Sequence, residues 1–251
     1  MNISIVIPTY NRPDHLERLL KSIEQQTHKG YEVIVVHDGP VISKAYESVI
    51  DNFTKIFKEF IFVCNESNHG APFSRNRGIR IARYELLALV DDDDEWLPEK
   101  LDNQEKAFKD NSNKLGLVYT WTDVVENGKQ LPFYRGEYAG QCLGQILNSC
   151  FIPSPSVMVR KRAILEAGLF DETLPSCQDW DMWTRICEKG YEVQAIKRTL
   201  TLYHKHAENS IGTSKNANIG YKMYYRKHFW KLVRYGELRH IVRLVRLSVG
   251  I

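Results

Sequence analysis

Five cysteines in 251 residues, Cys64, Cys142, Cys150, Cys177 and Cys187, are an odd number and include no CxxC pair. That excludes a disulfide framework and a zinc pattern, and it favours a reducing compartment. No apolar run reaches the ~18 residues needed to span a bilayer. The opening MNISIVIPTYNRP has no basic stretch ahead of its apolar run, so it reads as a strand rather than a signal peptide. Repeats and low-complexity linkers are missing, and so is the glycine-centred spacing of an EF-hand loop. PTYNRPD follows the first apolar run, where a nucleotidyltransferase would carry a glycine- and lysine-rich loop.

What is present fits one large domain, or one domain with an appendage. Charged residues make up 26% of the chain and the formal net charge is +3, yet the charge is unevenly spread. From Ile219 to Ile251 there are eight Lys or Arg and one Glu, a net of +7, which leaves the other 218 residues at −4. A mildly acidic body carries a strongly basic tail.

The first hundred residues alternate in kind. ISIVI, EVIVV, FIFVC and LLALV are β-branched or apolar runs that predict four strands. Helical spacing is expected over 14–26, 41–53, 73–84 and 98–109, the last opened by Pro98. Strands alternating with helices imply crossovers and a mostly parallel central sheet flanked by helices, an α/β class. Continuous apolar strands fit a sheet covered on both faces. Beyond Leu115, LGLVYTWTDVV predicts a strand pair or one long bent strand. SVMVR predicts a further strand, and YEVQAI and TLTLYH two more. A helix is expected from Asp179 to Lys189, closed by Gly190.

Asp91, Asp92, Asp93 and Asp94 follow the fourth strand directly, at the strand end where open sheets bind ligands. Extended backbone alternates its side chains, so Asp91 and Asp93 are expected on one side and Asp92 and Asp94 on the other. Two carboxylates on one side suit Mg2+ or Mn2+, with a diphosphate and water completing the shell. The plainer alternative is a solvated turn in which Asp94 or Glu95 caps the next helix. Trp96 and Leu97 are expected to anchor the loop in the core.

Five segments in order carry a family resemblance: SIVIPTYNR, VIVVHDG, GAPFSRNRGI, LVDDDDEWLPEKL and GLFDETLPSCQDWDMWTRI. Together they resemble a family 2 glycosyltransferase of the GT-A fold, similar to bacterial enzymes of O-antigen and capsule assembly. The resemblance implies a Rossmann-like GT-A domain over 1–215, with a nucleotide-binding half (1–110) and an acceptor-side half (111–215). Residues 216–251 would form a basic amphipathic helical extension. The implied activity is inverting transfer of a hexose from a UDP-sugar, with UDP-glucose or UDP-galactose favoured.

Residue by residue, the resemblance implies that Pro8, Thr9, Tyr10 and Arg12 line the path of the donor nucleotide. Asp38 would read the base, Arg75 would lie near the nucleotide, Asp91 near the ribose, and Asp92 would belong to the same nucleotide-sugar site. Asp93 would be the principal ligand of Mn2+ or Mg2+, with His206 as a second ligand and His204 less well placed. Asp179 would be the general base that takes the acceptor's proton. A plainer role as helix N-cap is open to Asp179, a structural ion pair to Arg75, and Asp181 is an alternative base. His37 and Gln178 stand where the family usually has acidic residues.

In the tail, Leu238, Ile241, Val242 and Val245 recur at helical spacing, with Arg239, Arg243 and Arg246 elsewhere on the wheel. Upstream, YKMYYRKHFWKLV mixes aromatic and basic residues. This composition suits an anionic membrane surface, or else a helix that packs on the domain. The expected partners are a UDP-sugar, a saccharide or polyprenyl-diphosphate-linked acceptor, an anionic membrane reached through the tail, and a second copy in a homodimer. No nucleic acid is expected, and the expected location is the cytoplasm, peripheral at the inner face of the membrane. The rival readings are a nucleotidyltransferase and a non-catalytic protein whose basic tail binds nucleic acid or membrane.

Overall fold

The computed structural model describes residues 1–205 and 215–249. The first half runs β1 (Ile3–Thr9), α1 (Pro13–Glu24), β2 (Tyr31–His37), α2 (Lys44–Ile56), β3 (Phe60–Cys64), α3 (Ala71–Ile81) and β4 (Leu86–Leu89). There follow β5 (Glu95–Trp96), α4 (Lys100–Lys109), β6 (Leu115–Glu126), β7 (Lys129–Tyr134) and α5 (Leu143–Asn148). A single 3-10 turn, Ser154–Ser156, leads to β8 (Met158–Arg160), α6 (Lys161–Glu166), α7 (Gln178–Glu188) and β9 (Glu192–His204). The C-terminal helices are α8 (Lys215–Lys227), α9 (Phe229–Tyr235) and α10 (Leu238–Val249).

One sheet holds the strands in the order β3-β2-β1-β4-β8-β6-β9-β5, with β7 paired to β6. β3, β2, β1 and β4 are mutually parallel. β8 joins them antiparallel to β6, and β6 runs parallel to β9. The apolar strands are covered on both faces, for a reason visible in their period of two. Ile3, Ile5, Ile7, Val33 and Val35 enter one core cluster, while Val6, Ile34, Val36, Leu87 and Leu89 enter the other. All of these are fully buried, and each contributes roughly 1.5–3 kcal/mol relative to exposure.

Gly78 sets how closely α3 lies on the sheet. A Cβ there would overlap Val6 Cγ1 and reach Val36 Cγ2 at 3.4 Å, so glycine is what lets the helix seat on β1 and β2. This seating fixes Arg75, one turn earlier on α3, over the carboxyl ends of the strands.

Several elements differ from the sequence reading. The segment 192–204 is one continuous strand, not two, because β6 offers a long parallel partner with register shifts that absorb the irregularity near Thr199. β6 and β7 form a hairpin that the strand reading missed. Its turn residues Asn127 and Gly128 both have positive φ, the Asn-Gly signature of a tight hairpin turn. α2 begins only after Ser43, whose hydroxyl accepts the Tyr46 N–H. α4 begins at Lys100 with no side-chain cap. Neither Asp94 nor Glu95 caps it: Glu95 and Trp96 pair instead with Leu202 and Thr201 of β9. Trp96 is buried, and its indole N–H donates to the Pro155 carbonyl at 2.9 Å.

The basic C-terminal helices begin as part of the fold. Tyr224 and Tyr225 of α8 are fully buried, and Tyr224 stacks on Trp180 of α7 at 4.1 Å. No described helix is long and apolar enough to cross a membrane.

Candidate active site

The acidic segment is a tight turn, not extended backbone: the Asp94 N–H donates to the Asp91 carbonyl at 3.2 Å. The expected pairing of Asp91 with Asp93 on one side therefore gives way to three separate directions. Asp91 forms an ion pair with the buried guanidinium of Arg75. Asp92 turns inward, accepting the Thr9 hydroxyl at 2.8 Å. Asp93 accepts Arg12 Nη1 at 2.8 Å, and its carbonyl accepts Arg18 Nη2 at 2.6 Å. Asp94 is buried, and its Oδ1 has no hydrogen-bond partner.

The electrostatics follow from that burial. Desolvation pushes the Asp92 carboxyl up to about 7, against the Thr9 hydrogen bond that favours the anion. The Asp94 carboxyl is held well above the usual carboxylate range by burial and by Asp93, Asp91 and Asp92. Packing like charges together in a dry turn is unfavourable unless a cation compensates. Arg12, Arg18 and Arg75 do so in part.

Asp91 and Asp94 open onto a cavity of about 280 Å3, which Asp179 also lines. Asp179 lies in the first turn of α7 but is not its cap. Cys177 holds the cap position with φ 60°, and no side chain there bonds a helix N–H. Asp179 Oδ1 instead accepts the Trp180 N–H at 2.8 Å. Burial raises its pKa, the Trp180 N–H and Arg75 oppose the rise, and Asp91 adds to it. Arg75 thus acts on both Asp91 and Asp179. Its guanidinium also lies 5.6 Å from the Phe170 ring centroid.

Asp181 is removed as a candidate base. It is fully buried, bonded to Arg185 at 2.8 Å, and its Oδ1 lies 2.9 Å from His228 Nε2 and 3.0 Å from Lys227 Nζ. It ties α7 to α8 and faces no cavity with Asp179. Gln178 donates to the Leu174 carbonyl at 2.9 Å, which fixes the loop before the helix.

The first-strand turn is organised by Tyr46, a residue that no sequence pattern singles out. Its hydroxyl accepts the Arg12 backbone N–H at 2.9 Å and bonds Thr9 Oγ1 at 2.8 Å. The ring meets His37 edge-on at 4.9 Å. Pro8 pairs with Val36 inside the sheet, whereas Tyr10 is exposed, with its ring 6.0 Å from His37. Asp38 is buried and already engaged. It accepts Asn65 Nδ2 at 2.8 Å, the His69 N–H at 3.0 Å and the Gly70 N–H at 2.7 Å, so a base contact would compete with these bonds. Gly70 has φ +91°, a conformation that favours glycine.

His204 Nε2 lies 3.0 Å from Glu95 Oε2. His206 lies outside the described residues. Among the described residues no three His, Cys, Asp or Glu side chains form a ready metal-holding group. Residues missed by sequence reasoning are Asp94, Arg18, Tyr46 and the aromatic wall of the cavity, Phe133, Tyr134 and Tyr203. Only Asp94 carried a signal, as the last carboxylate of the run.

Comparison with known proteins shows the family. The family model for Glycosyl transferase family 2 matches residues 4–168. The uncharacterized glycosyltransferase MJ1057 of Methanocaldococcus jannaschii is 32% identical over 91% of this chain and 79% of its own length. WcaA of Escherichia coli, named for colanic acid biosynthesis, is 30% identical over 98% and 88%. AmsB of Erwinia amylovora, an amylovoran biosynthesis glycosyltransferase, is 24% identical over 81% and 70%. S. aureus TarS 1–349 in complex with UDP-GlcNAc matches with TM-score 0.71 at 18% identity, over 90% of this chain and 66% of that one. This chain spans 39% of the longer TarS chain. A mannosyltransferase of Pyrobaculum calidifontis, solved with GDP-Man and Mn2+, matches with TM-score 0.67 at 16% identity, over 99% and 73%. The fold is thus GT-A, and the chain belongs to glycosyl transferase family 2.

Proposed function

We propose that this chain moves a hexose from a UDP-sugar, UDP-glucose or UDP-galactose first among them, to a saccharide acceptor in surface-polysaccharide synthesis. The observation that carries the reading is the convergence of Asp91, Asp94 and Asp179 on one cavity at the carboxyl end of β4, with Arg75 paired to Asp91 and its charge also felt by Asp179. The colanic acid and amylovoran names of the relatives support the polysaccharide context, and the UDP-GlcNAc complex of TarS supports a UDP-linked donor.

In this reading Pro8, Thr9, Tyr10, Arg12, Asp38, Arg75, Asp91 and Asp92 surround the donor nucleotide. Asp179 accepts the proton of the acceptor hydroxyl as its oxygen attacks the anomeric carbon. The bond from that carbon to the UDP oxygen breaks, the electron pair leaves with UDP, and the centre inverts. Arg75 keeps Asp91 in place and supplies positive charge beside the departing diphosphate.

Mn2+ or Mg2+ fits the carboxylate oxygens of the turn, among them the buried, unpartnered Asp94 Oδ1. Asp91 and Asp94, which share the cavity, would hold the ion; Asp93, paired with Arg12 here, would join them on leaving that ion pair, and His206 would be a further ligand. Bound there, it would supply charge neutralisation at the diphosphate.

The acceptor is a saccharide on a polyprenyl diphosphate, met at the inner face of the membrane. Support comes from the exposed Trp230, Leu238, Val242 and Val245 on α9 and α10, set among Arg234, Arg239 and Arg246. That mixture of apolar and cationic groups complements an anionic bilayer. A homodimer remains part of the proposal.

The test is UDP release from a panel of nucleotide sugars with Mn2+ and with EDTA. Expected is Mn2+-dependent UDP release that Asp179→Asn lowers by roughly 10²–10⁴-fold. Free pyrophosphate in place of UDP, or an Asp179→Asn variant as active as the wild type, would refute the reading.

A further inference from the structure

Phe133 sits where strand geometry alone would not put it. β7 pairs with β6 regularly from Lys129 to Leu131, but then Pro132 faces Asp123 and Tyr134 faces Thr122. Phe133 is the extra residue between them, a β-bulge. In a regular strand Phe133 and Tyr134 would point to opposite faces. The bulge turns both onto the same cavity that holds Asp179, Asp91 and Asp94. Bulges beside active sites commonly re-aim a side chain in this way.

The result is an open aromatic surface at the cavity mouth. The Phe133 ring is 56% exposed. It lies nearly parallel to Tyr203, centroids 6.0 Å apart at 16°, and edge-on to Tyr134 at 5.8 Å and 69°. Tyr203 continues inward toward the acidic turn, whose carboxylates help raise its pKa after burial itself. Tyr134 continues toward Asp179. Around the rings the same cavity is lined by Thr122, Ser154 and the carboxylates of Asp91, Asp94 and Asp179. Apolar faces bordered by fixed polar groups match a pyranose, which has C–H-lined faces and a rim of hydroxyls.

We propose that Phe133, backed by Tyr203, is the platform on which a pyranose ring of the acceptor stacks, presenting its hydroxyl to Asp179. This rests on the transferase reading above and adds the acceptor subsite to it. Stacking orients the ring while leaving the hydroxyls free to be distinguished by the polar rim.

The test uses the full chain with UDP and Mn2+, probed by saturation-transfer NMR with the methyl glycosides of glucose, galactose and mannose. UDP affinity is measured alongside by calorimetry. At least one glycoside is expected to contact the wild type. Phe133→Ala should weaken it roughly tenfold, about 1.4 kcal/mol, and Phe133→Trp should keep it. UDP affinity should be the same in all three proteins, and the exposure of Phe133 means its removal does not threaten folding. Glycoside contact unchanged in Phe133→Ala, or no glycoside contact to a wild type that binds UDP, overturns the platform alone. A wild type that fails to bind UDP overturns the transferase reading instead.

Discussion

Replacing Asp92 by Asn tests whether the acidic turn is held together under electrostatic strain. The carboxyl has a pKa of about 7 in the folded chain against an ordinary 3.8. Between those values the folded protein keeps a proton that the unfolded chain has lost. Its contribution is therefore fully present below about pH 4 and lost as pH rises through 7. Each pH unit is worth about 1.4 kcal/mol, so the interval corresponds to about 4 kcal/mol at most. Asn is isosteric, accepts the Thr9 hydroxyl as Asp92 does, and does not titrate. Asp179, also raised by burial, remains in both proteins and cancels, while Asp94 loses the part of its rise that comes from the Asp92 charge, which adds to the difference in the same direction. The assay is thermal unfolding in EDTA from pH 4 to 8. Wild type should lose stability relative to Asp92→Asn as pH rises. A realised difference of about 2 kcal/mol would appear as about 4–8 °C in Tm for a chain of this size. Parallel pH profiles for the two proteins would show that Asp92 is not strained by burial, and the electrostatic account of the turn would fail.

Gly78→Ala should destabilise the fold by about 1–3 kcal/mol through overlap with Val6, and it should lower UDP affinity because Arg75 rides on the same helix. Urea denaturation and calorimetry check this, and an unchanged midpoint would contradict the close seating of α3. For the tail, Trp230→Ala with Leu238→Ser should reduce co-sedimentation with phosphatidylglycerol-containing vesicles while leaving Tm unchanged. Equal partition of both proteins would remove the membrane role from α9 and α10.

Much of the first half was legible in the sequence because its signals are local. ISIVI, EVIVV and LLALV are dense in residues that suit a doubly covered strand, and the helical spacing of Leu16, Leu19, Leu20 and Ile23 identifies α1. The hairpin has a local signal in Asn127–Gly128, but the strand after it, KQLPFY, carries a proline and little apolar alternation. By contrast, the Asp91–Asp94 segment defeated the alternation rule. That rule assumes extended backbone, and the chain turns as soon as β4 ends.

The sequence by itself determined the order of strands and helices, the family segments and the residue types available for catalysis, since neighbouring residues set local conformation and composition sets chemistry. Tertiary structure alone decided that Arg75 meets Asp91, that Asp94 rather than Asp93 lines the cavity with Asp179, and that Asp181 is buried among cations. It also decided that a single bulged residue turns Phe133 toward the same space. Those outcomes depend on how α3, α7, β7 and β9 pack around the end of β4, and contacts between segments so far apart in the chain leave no periodic trace in any one of them.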